Sequence, residues 1–362
     1  MQIYKTSITN LMIVLIGTIT GLFFIECLLR IRQLVKYGTM EMFASVKFES
    51  DPHSGLRIPL AGAKTKSITI NSHGFRGPEL EDPKPKSRLR VGFLGASTTF
   101  CSEVSSDEIA WPHLVWTKLQ KIYPSANIDY VNASVPGYTV SSSFKNLIHR
   151  VEPMEPDIIL IYHAHNDLVA NSRKLAEQQG LYHQIDRMDI PFLRRILFWK
   201  YLSTHIDLYL TERKVRSGIE RLDFDLDEIS DQFHKDLMSL VEYSKSVSEI
   251  VAIATFSYNI RREHSEEEKL KASLIALQNM PYMSIDGLID GYEQYNRIIR
   301  EVARGAQIVL IDEELSIPAN DDTFSDSIHF NDLGSRLMAE RVVRGLETSE
   351  EFREFFKIRL QM

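Results

Sequence analysis

The sequence predicts an α/β protein: a three-layer αβα sandwich on a mostly parallel five-stranded sheet, with a transmembrane helix at the N-terminus. Three observations carry this. Short apolar runs alternate with amphipathic stretches from about residue 90 to residue 346, the pattern of βαβ units. Several of these runs end in small or polar turn residues. A separate, longer apolar run stands near the start of the chain.

That run, residues 11–29, matches the roughly 20 residues a helix needs to cross a bilayer. Its one charge is Glu26, near its end, and Arg30 follows four residues later, the favourable order for a helical ion pair. A cleaved signal peptide would place small residues after the run. Here the chain continues Arg30-Ile-Arg-Gln-Leu-Val-Lys36, and Ile-Glu-Cys27 lacks the small residue expected before a lipidated cysteine. Residues 1–36 are therefore read as a retained membrane anchor. The positive-inside rule would place the Arg30, Arg32 and Lys36 flank in the cytoplasm.

Residues 37–90 read as a lead-in segment. Residues 67–71 alternate like a short strand, Ser72-His-Gly74 and Arg76-Gly-Pro78 are turn signals, and 82–87 is a polar, proline-bearing linker. The main domain is placed at 91–350. Strands are expected at 90–94, 128–132, 157–162, 250–256 and 307–311. Helices are expected at 110–122, with Trp111, Leu114, Val115 and Leu119 on one side, and at about 230–248, 287–304 and 333–346. Two stretches break the alternation, about 169–229 and 261–286, and read as lid-like insertions. The first contains the aromatic and basic segment 192–202. Such a mixture suits a helix lying on a membrane, but a cap helix over the sheet is the preferred reading. The charged run 261–269 reads as a solvated helix face.

Composition narrows the function. The chain has 362 residues, 44% hydrophobic and 25% charged, which is ordinary globular usage. A net charge of −7 argues against a nucleic-acid partner, which favours a basic face. The two cysteines, Cys27 and Cys101, form no zinc or redox pattern, and Cys27 lies in the apolar run, so no disulfide is expected. Cys101 reads as a small buried residue. No cofactor is expected. A metal between His163, His165 and Asp167 is rejected for want of a further ligand set.

The chemistry points to Ser97. It stands in Val91-Gly-Phe-Leu-Gly-Ala-Ser-Thr-Thr-Phe100, an apolar strand ending in a small-residue turn, where a hydroxyl is exposed. A serine there is also an ordinary helix N-cap. A hydroxyl becomes a nucleophile only with a base and a group to orient that base. Asp326-Ser-Ile-His329 offers both. Ligands in open parallel sheets bind beyond the carboxyl ends of the strands, and Ser97, Ser134 to Gly137 and His163 to Asp167 all fall there.

Four separated segments, in order, resemble the SGNH (GDSL-type) hydrolase superfamily: Gly95-Ala-Ser97, Asn132-Ala-Ser-Val-Pro-Gly137, Ala164-His-Asn-Asp167 and Asp326-Ser-Ile-His329. Asn71-Ser-His-Gly-Phe-Arg-Gly77 is similar to the segment preceding the fold in membrane-anchored bacterial members. The resemblance covers roughly residues 67–346. It implies a flavodoxin-like SGNH fold, with Ser97 as nucleophile, His329 as base and Asp326 as its orienting group. It also implies an oxyanion hole from the N–H groups of Ser97 and Gly137 and the amide of Asn166. His163 and His165 are candidate substrate contacts, and Asp167 a structural acceptor. Ala96 stands where the family has aspartate and Ala164 where it has glycine; neither deletes a chemical role.

The resulting expectation is a membrane-tethered serine esterase acting on a small-molecule or glycan ester. Resemblance to anchored relatives suggests an O-acyl group of a cell-envelope glycan and an extracytoplasmic catalytic domain, against the positive-inside reading. Two alternatives remain. An O-acyltransferase would use the same residues with a sugar hydroxyl in place of water, and product analysis separates it. A non-catalytic binding or scaffold protein on a decayed hydrolase fold would leave Ser97 unreactive.

Overall fold

The computed structural model describes residues 2–37, 46–182, 196–217 and 221–361. The chain forms two compact units, residues 1–45 with 184–210, and residues 46–183 with 211–362.

The first unit contains helix α1, Gln2–Tyr37. Its segment Met12–Val35 is long and apolar enough to span a bilayer, and most of its large apolar side chains are exposed. The carboxylate of Glu26 accepts from Arg30 Nε at 2.8 Å and from the Leu197 and Phe198 N–H groups at 3.0 and 2.9 Å. The first turn of a helix has N–H groups with no acceptor in the helix itself, and here one charge serves that turn and an arginine together. Gln33 Nε2 donates to the Tyr201 hydroxyl at 2.8 Å.

The second unit opens with a short antiparallel hairpin, β1 Phe48–Ser50 and β2 Arg57–Pro59. It continues β3 Arg88–Gly95, α2 Ser97–Phe100, α3 Trp111–Ile122, β4 Asn127–Asn132, α4 Val140–Asn146, β5 Ile158–Tyr162 and α5 His165–Gln178. Then follow α6 Leu197–Arg216, which starts in the first unit, α7 Leu226–Val247, β6 Ile250–Ala254, α8 Glu266–Asn279, α9 Ile285–Ala306, β7 Val309–Ile311, α10 Asp332–Thr348 and α11 Glu350–Gln361.

Strands β3 to β7 form one fully parallel sheet in the order β4-β3-β5-β6-β7. Strands β5 and β6, and β3 from Val91 onward, are continuously apolar because both faces are covered. On one face Phe93 meets Trp111 of α3 edge-on, with ring centroids 5.4 Å apart. On the other, Val151 and Pro156 lie over the strand at Gly92. Burying side chains such as Phe93, Val115 and Leu119 contributes about 1.5–3 kcal/mol each. The chain leaves β3 towards β4 on one side and later fills the other side with β5. The carboxyl end of β3 is therefore the point where strand order reverses, the place such sheets bind ligands.

All five expected strands form, within a few residues of their expected limits. Residues 67–71 differ. They make only isolated bridges, Lys64 to Thr69 and Ile70 to Arg76. The Asn71 side chain accepts from the N–H groups of His73 and Phe75 and turns the chain before a strand can extend. The run 261–269 also differs. Arg261 is buried and its guanidinium donates to the carbonyls of Tyr258, Ile260 and Ile317, because loop carbonyls inside a protein need donors. Only from Glu266 does a solvated helix begin, closed by a Ser265–Glu268 capping box. Of the stretch expected as a first insertion, α5 takes the beginning and α6 the middle; residues 183–195 and 218–220, including 192–195 of the aromatic and basic segment, lie outside the described residues.

Candidate active site

Strand β3 ends at Gly95, where a side chain would collide with Thr99. A glycine at that point lets the chain turn sharply from strand into α2. Ser97 is the first residue of α2, so its N–H has no helical acceptor behind it. Ala96 packs with Val135 and Tyr138 in a small apolar cluster, so apolar packing supports the turn at this position.

The loop before α10 brings the imidazole to this turn. Ser97 Oγ lies 2.8 Å from His329 Nε2, and His329 Nδ1 lies 2.7 Å from Asp326 Oδ2. The other carboxylate oxygen, Asp326 Oδ1, accepts from the N–H groups of Ile328 and His329, both at 2.9 Å. The three side chains form one hydrogen-bonded chain from residues 232 positions apart. The electrostatics are internally consistent. Burial alone would lower the His329 pKa, but the hydrogen bond and charge of Asp326, with a smaller effect of Glu103, raise it above the ordinary histidine value. Burial alone would raise Asp326, but His329 and the two backbone N–H groups hold it below the ordinary carboxylate value. With Nδ1–H donated to the carboxylate, Nε2 is free to accept the Ser97 proton.

The oxyanion candidates gather at the same edge. Gly137 follows β4 with φ +91, which only glycine adopts readily, and space is open where its side chain would be. Among the described residues, neither the Ser97 nor the Gly137 N–H donates to a protein acceptor. Asn166, in the first turn of α5, donates one amide hydrogen to the Tyr138 carbonyl at 2.9 Å, which leaves its second hydrogen available. Asp167 Oδ1 accepts from the Val140 N–H at 3.0 Å, so Asn166 and Asp167 together tie the Gly137 loop to α5.

A small cavity beside Ser97 is lined by Ala164, His165, Asn166, Phe256 and Ile328, among others. His165 is held by a 2.8 Å hydrogen bond between its Nδ1 and the Tyr292 hydroxyl. His163 is turned to Ser143, with Nε2 to Oγ 2.8 Å. Burial pushes His163 down to about 3 and His165 to about 4, so both are neutral at ordinary pH. Burial pushes Asp167 up to about 7. Cys101 is buried and its thiol is pushed up to about 12, which makes it unreactive.

Sequence reasoning did not single out Tyr292, which fixes His165, or the buried Arg76, whose guanidinium reaches the end of α2. Arg76 had a visible signal, since a charge amid the apolar and turn residues of Gly74-Phe-Arg-Gly77 needs a partner. Tyr292 had none, because a tyrosine at helical spacing from Leu288, Ile289 and Tyr295 looks like core.

The family match identifies this α/β protein as an ester hydrolase. Residues 93–337, well over half of the chain, match the GDSL-like lipase/acylhydrolase family, and the chain belongs to that family. Among solved structures it is similar to an acetylxylan esterase from Geobacillus stearothermophilus, at 17% identity and a TM-score of 0.44, over 71% of this chain and 93% of that one. It is also similar to a lipase/acylhydrolase from Enterococcus faecalis, at 14% identity and a TM-score of 0.42, over 72% of this chain and 96% of that one. No curated protein matches.

Proposed function

We propose that this ester hydrolase works through Ser97, His329 and Asp326. The observation that carries the reading is the hydrogen-bonded chain from Ser97 Oγ through His329 to Asp326 at the carboxyl end of β3. Ser97 Oγ attacks the ester carbonyl carbon while His329 Nε2 takes its proton. Asp326 orients the imidazole and stabilises the imidazolium that forms. The negative oxygen is received by the N–H groups of Ser97 and Gly137 and by Asn166 Nδ2; losing one such donor typically costs about 2.7–4 kcal/mol in activation energy. The tetrahedral intermediate collapses to an acyl-serine as His329 returns the proton to the leaving alcohol. Water, deprotonated by the same imidazole, then releases the acid and restores Ser97.

The substrate in this reading is a short O-acyl group on a cell-envelope glycan. The cavity beside Ser97 is small and mostly apolar, with His165 and Asn166 among its lining residues. Helix α1 would hold the enzyme on the membrane, with the second unit on the extracytoplasmic side. Ser97→Ala is the test. The purified variant should lose hydrolysis of an activated acetyl ester while melting like the wild type. A variant that still turns over at the wild-type rate sinks the proposal.

A further inference from the structure

Helix α2 is four residues long, so every carbonyl in it belongs to its C-terminal end. Ser97 O accepts from the Cys101 N–H at 2.9 Å. The others are served from outside the helix. Trp111 Nε1 donates to Thr98 O at 3.0 Å, and Asn132 Nδ2 to Thr99 O at 3.3 Å. Arg76 Nη1 donates to Phe100 O, and to Cys101 O at 2.6 Å. Trp111 and Asn132 lie inside the family match; Arg76 lies ahead of it, in the lead-in segment.

Arg76 is itself tightly held. Its side chain is 1% exposed. Nε donates to Asp107 Oδ1 at 2.8 Å, and Nη2 to the Ser67 carbonyl at 3.0 Å. The second oxygen of Asp107 accepts the Thr69 N–H at 2.8 Å, which ties the same carboxylate to the lead-in backbone. Burying a guanidinium is unfavourable unless its donors are met. Here they are met by one carboxylate and three carbonyls, two of which cap the helix that starts with Ser97. A lysine could not reproduce this, since its ammonium is a single point charge without a fork.

We propose that Arg76 is a positioning residue for the reaction at Ser97: the lead-in segment reaches under the site and pins the far end of the nucleophile helix. The proposal rests on the reading of Ser97 as nucleophile. Without Arg76 the carbonyls of Phe100, the last residue of α2, and of Cys101, its C-cap, lose this donor, and the helix relaxes against Trp111 and Asn132. A displacement of about 1 Å at a reacting atom can cost roughly a hundredfold in rate. The distance at stake is the 2.8 Å between Ser97 Oγ and His329 Nε2.

The experiment uses the full chain in detergent, with an activated acetyl ester as substrate, a fluorophosphonate probe for Ser97, and melting followed in parallel. Arg76→Met should lower kcat roughly tenfold to a hundredfold with KM little changed, and slow probe labelling by the same factor, at temperatures where the variant is folded. Arg76→Lys should recover little. Arg76→Ala should regain part of its rate when guanidinium is added below denaturing concentrations, a response that a purely structural role would not give. If Arg76→Met does not fold, Asp107→Asn keeps the guanidinium on its three carbonyls but removes its counter-charge, and should show a smaller fall in kcat of the same kind. A wild-type protein that is labelled at Ser97, together with folded variants whose kcat matches it, overturns the role of Arg76 and leaves the nucleophile standing. A wild-type protein that takes no label at Ser97 overturns both.

Discussion

Among the described residues, two places bring a serine, a histidine and an aspartate together, and they differ in how the carboxylate meets the imidazole. In the first, Ser97 meets His329 at 2.8 Å and His329 meets Asp326 at 2.7 Å. In the second, Ser143 meets His163 at 2.8 Å, but His163 Nδ1 and Asp167 Oδ2 are 3.9 Å apart. The extra ångström or so separates a hydrogen bond from a mere neighbour. Its consequences run through both groups. Asp326 lifts His329 above its ordinary pKa against the effect of burial, whereas His163 has no such support and is pushed down to about 3. Asp326 stays ionised; Asp167, buried with one oxygen unpartnered, is pushed up to about 7. The second set is a buried brace beneath the Gly137 loop. The two sets share residue types and differ in whether a hydrogen bond joins the imidazole to an ionised carboxylate.

The contrast can be broken most sharply at the serines. Ser97→Ala should abolish fluorophosphonate labelling, while Ser143→Ala, folded, should be labelled nearly as fast as wild type. Labelling lost in Ser143→Ala and kept in Ser97→Ala would reverse the assignment. Next in size is the carboxylate. Asp326→Asn should slow ester hydrolysis by roughly three to four orders of magnitude, because the imidazole loses its tautomer and its counter-charge. Asp167→Asn should cost far less in kcat, since its contact with the Val140 N–H can be kept by the amide oxygen.

The pH profile sharpens the same point. His329 must be neutral to accept a proton, and its pKa is raised. The acid limb of kcat/KM should therefore have its midpoint above the ordinary histidine value of about 6.5. A midpoint below that value would mean that Asp326 does not support His329 in solution. Stability gives the smallest effect. The folded pKa of Asp167 lies above its unfolded value, so the folded state binds the extra proton, and stability falls as pH rises from about 4 to about 7. Asp167→Asn should remove that loss. Its Tm should drop less than that of the wild type between pH 5 and pH 8, and an identical drop in both would show that Asp167 is ionised throughout.

Much of this architecture was legible in the sequence, for physical reasons. Strands covered on both faces must be apolar along their length, so β3, β5 and β6 stand out as runs. Residues whose spacing follows from local geometry were also visible, since three positions let Asp326 and His329 share one turn. What the sequence hid are contacts between distant polar groups. Nothing local says that Tyr292 will meet His165, that Arg76 will reach Cys101, or that Glu26 will close the first turn of α6. Short elements were hidden too. The hairpin β1–β2 has three-residue strands, too short for alternation to show. Helix α11 lies beyond the last helix expected from the sequence, yet it belongs to the core: Phe352 and Phe356 are fully buried and Tyr123 stacks on Phe356 at 3.9 Å.

Mass mapping of the fluorophosphonate adduct tests the central claim most directly, with wild type and His329→Ala compared side by side. The account predicts one modified peptide in the wild type, carrying the adduct on Ser97, and labelling slowed by orders of magnitude once the imidazole is gone. An adduct on another residue, or equal labelling of Ser97 with and without His329, would contradict it.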